Sequence, residues 1–325
     1  MIITEGLKKR FAKDTNLPIK IFTEPYFSHF LDLYEAQFGA RTKYNEFCEL
    51  LENFESEQDY FEEYNRVKDA AITYLAENPA MQAFKNADRN LFKITNTGLP
   101  SHDIYKQTNI GRHFVSIDMK KANFTALKHY NPKIVGEKET YEDFLGMFTD
   151  SQYFKSSKYV RQVIFGNQAP GGQVVYEQYL MDIVMDAIFV HCPPGIDRSS
   201  VAYFGTDEIV LDITNFVNDG KLDEDLLEGL KNALLSAKAS RIDVRAEFFQ
   251  LIKITGTSGC MRKFEFDTKD KQPDLKCVTA LDMPFVIRAI NGEVPKPNDF
   301  VFSYEGKLAK FLEPIKVEFT TDPTK

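Results

Sequence analysis

Apolar residues recur three and four positions apart through the first third of the chain: Phe27, Phe30, Leu31, Leu33 and Tyr34, then Phe47, Leu50, Leu51 and Phe54, then Tyr64, Val67, Ala71, Tyr74 and Leu75. This is the period of an amphipathic helix, and it predicts helices from Pro25 to about Phe92, with Pro79 opening a short one. Between Glu49 and Glu63 there are many acids and no Lys or Arg, the pattern of a solvated helix face. From Ile94 to His113 the text turns polar and turn-rich. His113-Phe-Val-Ser-Ile-Asp118 then reads as a short apolar strand ending on an acid, and Met119 to Tyr130 as a helix closed by Asn131-Pro132.

Tyr141 to Phe148 is a short amphipathic segment, and Ser151 to Phe165 is the most basic helix candidate. After the loop Gly166 to Gly172, a long helix runs from Gln173 to Phe189, with Val174, Tyr179, Leu180, Ile183, Val184 and Ala187 on its apolar side. Val201-Ala-Tyr-Phe and Ile209-Val-Leu are β-prone runs joined by a tight polar step, which predicts a hairpin with Asp207 and Glu208 at its tip. Asp223 to Ala239 reads as an amphipathic helix, and Ile242 to Ile254 alternates as a strand. Beyond Gly256 short β-prone runs dominate, among them Cys277-Val-Thr, Phe285-Val-Ile-Arg and Phe300-Val-Phe, with a short helix expected over Lys307 to Leu312. The fold class is α+β.

Composition narrows the class. The 325 residues suffice for a large core, and 43% hydrophobic with 27% charged residues describe a folded globular chain. A formal charge of -8 argues against indiscriminate adsorption to nucleic acid or membranes, while leaving room for a local basic cleft. Cys48, Cys192, Cys260 and Cys277 are widely spaced and read as free thiols of a reducing compartment. No stretch approaches a membrane span and the start lacks a signal pattern, so the expectation is an intracellular protein, cellular or made by a virus or phage inside its host.

Two places suggest chemistry. A charged pair between apolar strands is costly to bury without a cation or donor beside it, so Asp207-Glu208 is either a solvated surface turn or half of a metal site. Asp118, at the end of its strand and ahead of a helix, is either an N-cap or a metal ligand. Lys158, Arg161, Gln162 and Phe165 fall on one face of the basic helix. Cations, an amide and an aromatic there suit a nucleoside triphosphate, or equally a surface helix with long basic side chains. Two carboxylates on neighbouring strands facing such a helix are the parts of two-metal phosphoryl transfer.

In this order the motifs resemble the polymerase core of family A DNA polymerases and, more distantly, of single-subunit phage RNA polymerases. Ser116-Ile-Asp-Met-Lys-Lys-Ala-Asn-Phe-Thr-Ala-Leu-Lys-His129 is similar to motif A. Arg161-Gln-Val-Ile-Phe-Gly166 is similar to part of motif B, with Arg161 in place of a lysine. Tyr203-Phe-Gly-Thr-Asp-Glu-Ile-Val-Leu-Asp212 is similar to motif C, with Thr206 where the family has His. The resemblance spans roughly Ile94 to Ile254. It implies catalytic Asp118, Asp207 and Glu208, with Asp118 and Asp207 holding two Mg²⁺ ions (Mn²⁺ as a substitute). It also implies triphosphate contacts from Arg161 and Lys158, nucleoside packing by Phe165, and Asn123 at the sugar-selecting position; Gln162 joins the substrate-binding candidates by its place on the same helix face. The partners implied are a nucleic-acid primer and template and nucleoside triphosphates, with no membrane.

The implied layout is a helical thumb-like segment (1–92), a palm with an antiparallel sheet in two parts (93–150 and 198–256), helical fingers (151–197) and a β-rich C-terminal extension (257–325). Two departures stand out. Ser157 lies where motif B has an upstream Arg, and Asn167-Gln-Ala-Pro170 replaces the expected Tyr-Gly. The loss of the template-side aromatic favours a template-independent nucleotidyl or terminal transferase. The acidic balance and altered motif B favour a non-catalytic descendant that binds nucleic acid or a replication protein. The choice between DNA and RNA stays open.

Overall fold

The computed structural model describes residues 2–102, 104–166 and 168–324. The N-terminal third is helical, as its period predicts: α1 (Glu5–Asp14), α2 (Tyr26–Leu33), α3 (Glu35–Phe38), α4 (Ala40–Leu51), α5 (Glu57–Glu77) and α6 (Pro79–Lys85). Ser56 and Asp59 form a reciprocal capping box that starts α5. The central part runs β1 (His113–Met119), α7 (Ala122–Tyr130), α8 (Tyr141–Leu145), α9 (Gln152–Ser156), α10 (Lys158–Gly166) and α11 (Pro170–His191). Next come β2 (Val201–Phe204), β3 (Glu208–Asp212), β4 (Val217–Asn218), β5 (Lys221–Leu222), α12 (Glu224–Ala239) and β6 (Val244–Thr255). The chain closes with β7 (Cys260–Phe264), β8 (Asp274–Lys276), α13 (Met283–Ile290), β9 (Val301–Tyr304), β10 (Lys307–Lys310) and β11 (Glu318–Thr320).

One antiparallel sheet organises the molecule, in the order β2-β3-β1-β6-β7-β8, with β11 also pairing β6. Leaving α7 to α10 aside, β1-α11-β2-β3-α12-β6 with spatial strand order 2-3-1-6 is a split β-α-β arrangement. Alternation sorts the strands onto two faces. Val115, Ile117, Ile209 and Leu211 join the main core, which includes Leu180 and Val184 of α11 and Leu226 and Leu230 of α12. Phe114, Val210, Phe249 and Leu251 form a second cluster, roofed by Ile104 and Ile110 of the segment that precedes β1. Gly229 lets α12 approach the end of α11: a Cβ there would lie 2.7 Å from the His191 carbonyl oxygen. Asp223 caps α12 by accepting from the Leu226 N–H at 3.0 Å.

Several expectations change. The basic helix is two helices, α9 and α10, because Ser157 is extended and caps the second through its hydroxyl and the Val160 N–H at 3.2 Å. Phe285-Val-Ile-Arg is not a strand but the middle of α13, opened by Pro284 and buried on nearly every side. Lys307 to Leu312 is not a helix: Lys307–Lys310 is β10, paired with β9. β8 ends before Cys277-Val-Thr. Position 257 is no boundary either, since β7, β8 and β11 extend the central sheet. The helices of 1–92 are not set apart, because α1 and α5 pack on α10 and their buried residues share one core with the central sheet. The four cysteines are free thiols. Among the described residues no helix is long and apolar enough to cross a membrane.

Candidate active site

The register of the sheet fixes the site. Asp118 of β1 lies directly opposite Glu208 of β3 on one side and Arg245 of β6 on the other. Residues opposite each other in an antiparallel pair share a face, so all three side chains stand on the same face at the same end of the sheet. Asp207 occupies the β2–β3 turn, closed by the Gly205 N–H donating to the Glu208 carbonyl at 2.9 Å; its own carbonyl accepts from the Met119 N–H at 2.8 Å. The hairpin expected from the alternation therefore forms, and it delivers Asp207 and Glu208 beside Asp118.

Each carboxylate has a different environment. The Arg245 guanidinium donates to Asp118 Oδ2 from Nε at 3.1 Å and Nη2 at 3.0 Å. Burial nevertheless holds the Asp118 carboxyl above its ordinary value; Arg245 opposes this, while Asp207 and Glu208 add to it. Asp207 has no ion-pair partner among the described residues, and burial followed by the Glu208 charge raises it, with Lys158 pulling the other way. Glu208 is the anchored member. Ser116 Oγ donates to its Oε1 at 2.6 Å and Arg262 Nη1 at 2.9 Å. Burial alone would raise Glu208, but Arg262 and then Ser116 outweigh it and the carboxyl sits below its ordinary value.

The helical side supplies cations unevenly. Lys158 is exposed at the start of α10, within the electrostatic reach of Asp207. Arg161 is half-buried over the Tyr141 ring, with its Nε unpartnered. Burial lowers the pKa of its guanidinium, against the pull of Tyr141, Glu142 and Asp118. Gln162 is exposed and faces away into a neighbouring cleft with Lys158. Phe165 is not where a nucleoside could meet it: it is fully buried, with its ring 5.5 Å from Phe144 and 6.1 Å from both Phe124 and Tyr141. Helical spacing put it on the Arg161 face, but that face turns inward along the helix. Asn123 is half-buried in the first turn of α7 and has no hydrogen-bond partner among the described residues.

Sequence reasoning missed Arg245, Arg262, Ser116 and, on α11, Glu177. Glu177 is buried, accepts from Gln173 Nε2 at 3.1 Å, and is pushed up to about 7 by burial and then by the Asp207 charge, with Gln173 opposing. The Gln173 Oε1 is buried with no partner. The same helix carries Asp182, which pins the strand-leading loop by accepting from the Thr95 N–H at 2.8 Å and the Asn96 N–H at 3.0 Å. An acid inside a strongly apolar helix was the available signal for both.

Among the described residues no group of three or more His, Cys, Asp or Glu is arranged as a metal cluster. Mg²⁺ keeps water and substrate phosphates in its shell and often takes only one or two protein carboxylates, so Asp118 and Asp207 fit that need as hard oxygen donors. No family model, curated protein or solved structure matches the chain.

Proposed function

We propose that the chain is a nucleotidyltransferase of the nucleic-acid polymerase kind, with a palm formed by β1, β2, β3 and β6. The observation that carries the reading is the meeting of Asp118 with the Asp207-Glu208 turn at one end of the sheet, with Asp118 in direct register with Glu208. Support also comes from the split β-α-β order and from the insertion of α10 and its cations between the two acidic strands.

In this reading Asp118 and Asp207 would hold Mg²⁺, which when bound would supply Lewis acidity for attack by a 3′-hydroxyl and charge neutralisation for the leaving pyrophosphate. The chain's own residues prepare the site. Ser116 and Arg262 fix Glu208, so that its charge stays beside Asp207 without being free to move. Arg245 offsets the charge of Asp118 while no cation is bound there. Lys158 and Arg161 face the triphosphate, and the buried Phe165 holds α10 at its height above the sheet.

A second reading, a non-catalytic nucleic-acid-binding descendant, is favoured by one observation: arginines already neutralise two of the three acids. Primer extension with Mg²⁺, on templated and on single-stranded primers, with ribo- and deoxyribonucleotides, separates the readings. Template-dependent products support a polymerase, products on single strands alone a terminal transferase, and none under any condition the binding descendant.

A further inference from the structure

Away from the carboxylates, α1 and α10 enclose a cleft of about 530 Å³. Four exposed lysines line it: Lys9 and Lys13 one turn apart on α1, Lys20 on the segment that follows, and Lys158 on α10. No Asp or Glu is among the described residues lining it, in a chain whose formal charge is -8. Lys9 pairs weakly with the exposed Glu5 at 3.5 Å, and Asp14 and Asp207 lie within electrostatic reach of Lys13 and Lys158, but no ion pair closes on Lys13, Lys20 or Lys158 among the described residues. Like charges gathered without ion pairs repel, so such a concentration in an acidic protein is explained most directly by an anionic ligand.

The form of the cleft distinguishes between anions. A compact polyphosphate is best met by converging Arg forks, a glycine-rich loop or a helix N-terminus; here the charges are single lysine points spread over three segments, with no arginine in the lining. The wall also contains the Phe22 and Tyr159 rings and the Gln162 amide. Tyr159 takes the Lys13 ammonium at 4.2 Å and the Arg10 guanidinium at 4.4 Å, which holds the cations in place. Spaced cations alternating with rings and an amide match a phosphodiester track whose bases stack without sequence preference. A second cleft of about 450 Å³ meets the first at Lys158, but Asp14 and the exposed Glu46 share its wall with Lys43, so the basic track is that of the α1–α10 cleft alone.

We infer that the α1–α10 cleft binds a single-stranded nucleic acid along its backbone, with Lys9, Lys13 and Lys20 on the phosphates and Lys158 at its boundary with the transfer site. The inference deepens the nucleotidyl-transfer reading by placing a strand, yet a chain unable to catalyse would bind there equally.

The test is fluorescence anisotropy of the full chain with a labelled oligothymidylate about 12 nucleotides long, without nucleoside triphosphates. Binding should weaken with salt with a log–log slope of about -2 to -3, as some 0.7 counterion is released per neutralised phosphate on a single strand. The triple variant Lys9→Gln/Lys13→Gln/Lys20→Gln lies outside the transfer site and removes only exposed side chains. It should bind at least tenfold more weakly and lose about 2 from the slope, whereas Lys→Arg at the same positions should retain binding. Unchanged binding in the glutamine variant overturns the inference, whatever the catalytic activity. So does displacement of the oligonucleotide by tripolyphosphate or poly-glutamate at equal charge, which would mark a small-anion or unselective site. Lysine-dependent binding without primer extension would instead overturn the transfer reading and leave this one standing.

Discussion

Asp118 and Arg245 face each other across the β1–β6 ladder, with the guanidinium nitrogens 3.0 and 3.1 Å from one carboxylate oxygen. Burial raises Asp118 and Arg245 restrains it. Arg245→Gln should therefore move the Asp118 titration further upward, as followed by carboxyl-carbon NMR. Because both side chains are partly exposed, stability should change by no more than about 1 kcal/mol. An unmoved Asp118 titration would show that the pair does not form.

Arg262 and Glu208 should behave differently, because the guanidinium is only 5% exposed. Arg262→Met leaves Glu208 with Ser116 as its main partner and should cost about 3 kcal/mol at neutral pH, read from the urea midpoint. The Glu208 carboxyl is depressed in the folded chain, so the stabilisation it contributes is present above its unfolded value and fades as pH falls through the folded one. The difference between variant and wild type should accordingly shrink in acid. Adding Glu208→Gln should recover much of the loss at neutral pH.

Glu177 has the opposite sign. Its folded pKa lies near 7, well above the 4.5 of an ordinary glutamate. Between these values the folded chain binds more protons than the unfolded one, so Glu177 makes stability fall as pH rises from about 4.5 to 7. Glu177→Gln keeps an acceptor for Gln173 and should flatten that fall, gaining on the order of 1–3 kcal/mol at pH 8. Denaturation curves at several pH values check this; an unaltered slope would contradict the burial of its charge.

Where sequence period and burial agreed, the chain was legible. The strand ending at Asp118, the hairpin of Asp207, the helix after Asp223 and the long strand to Ile254 each alternate or repeat clearly. Phe285 to Arg288 misled because a short apolar run has no period, and its arginine is buried through Asp299, whose Oδ2 accepts from Nε at 2.9 Å. Ser157 split the basic helix by a local cap that helical spacing does not reveal. Arg245 and Arg262 stayed hidden for another reason: their roles depend on cross-strand register, which is not written in local sequence. Glu177 was legible only as an acid in an apolar helix, which does not show that it lies within reach of the Asp207 charge.

Phe165 and Arg161 separate core from site. Phe165→Ala opens a cavity among Phe124, Tyr141 and Phe144 and should cost about 3–5 kcal/mol of stability. Arg161→Ala should mainly raise the nucleotide KM of a folded enzyme. Thermal unfolding beside steady-state kinetics distinguishes the two; a stable Phe165→Ala with an altered KM would return that ring to the nucleoside site.

Primer extension by the wild-type chain and by Asp207→Asn, side by side with Mg²⁺, tests the central claim most directly. Asp207 lies in a turn and makes no ion pair among the described residues, so the fold should be retained, as circular dichroism will report. Incorporation by the wild type and its loss by at least a thousandfold, about 4 kcal/mol of transition-state stabilisation, in the variant is the predicted result. Equal incorporation by the folded variant, or none by the wild type, would contradict the assignment of this end of the sheet to nucleotidyl transfer.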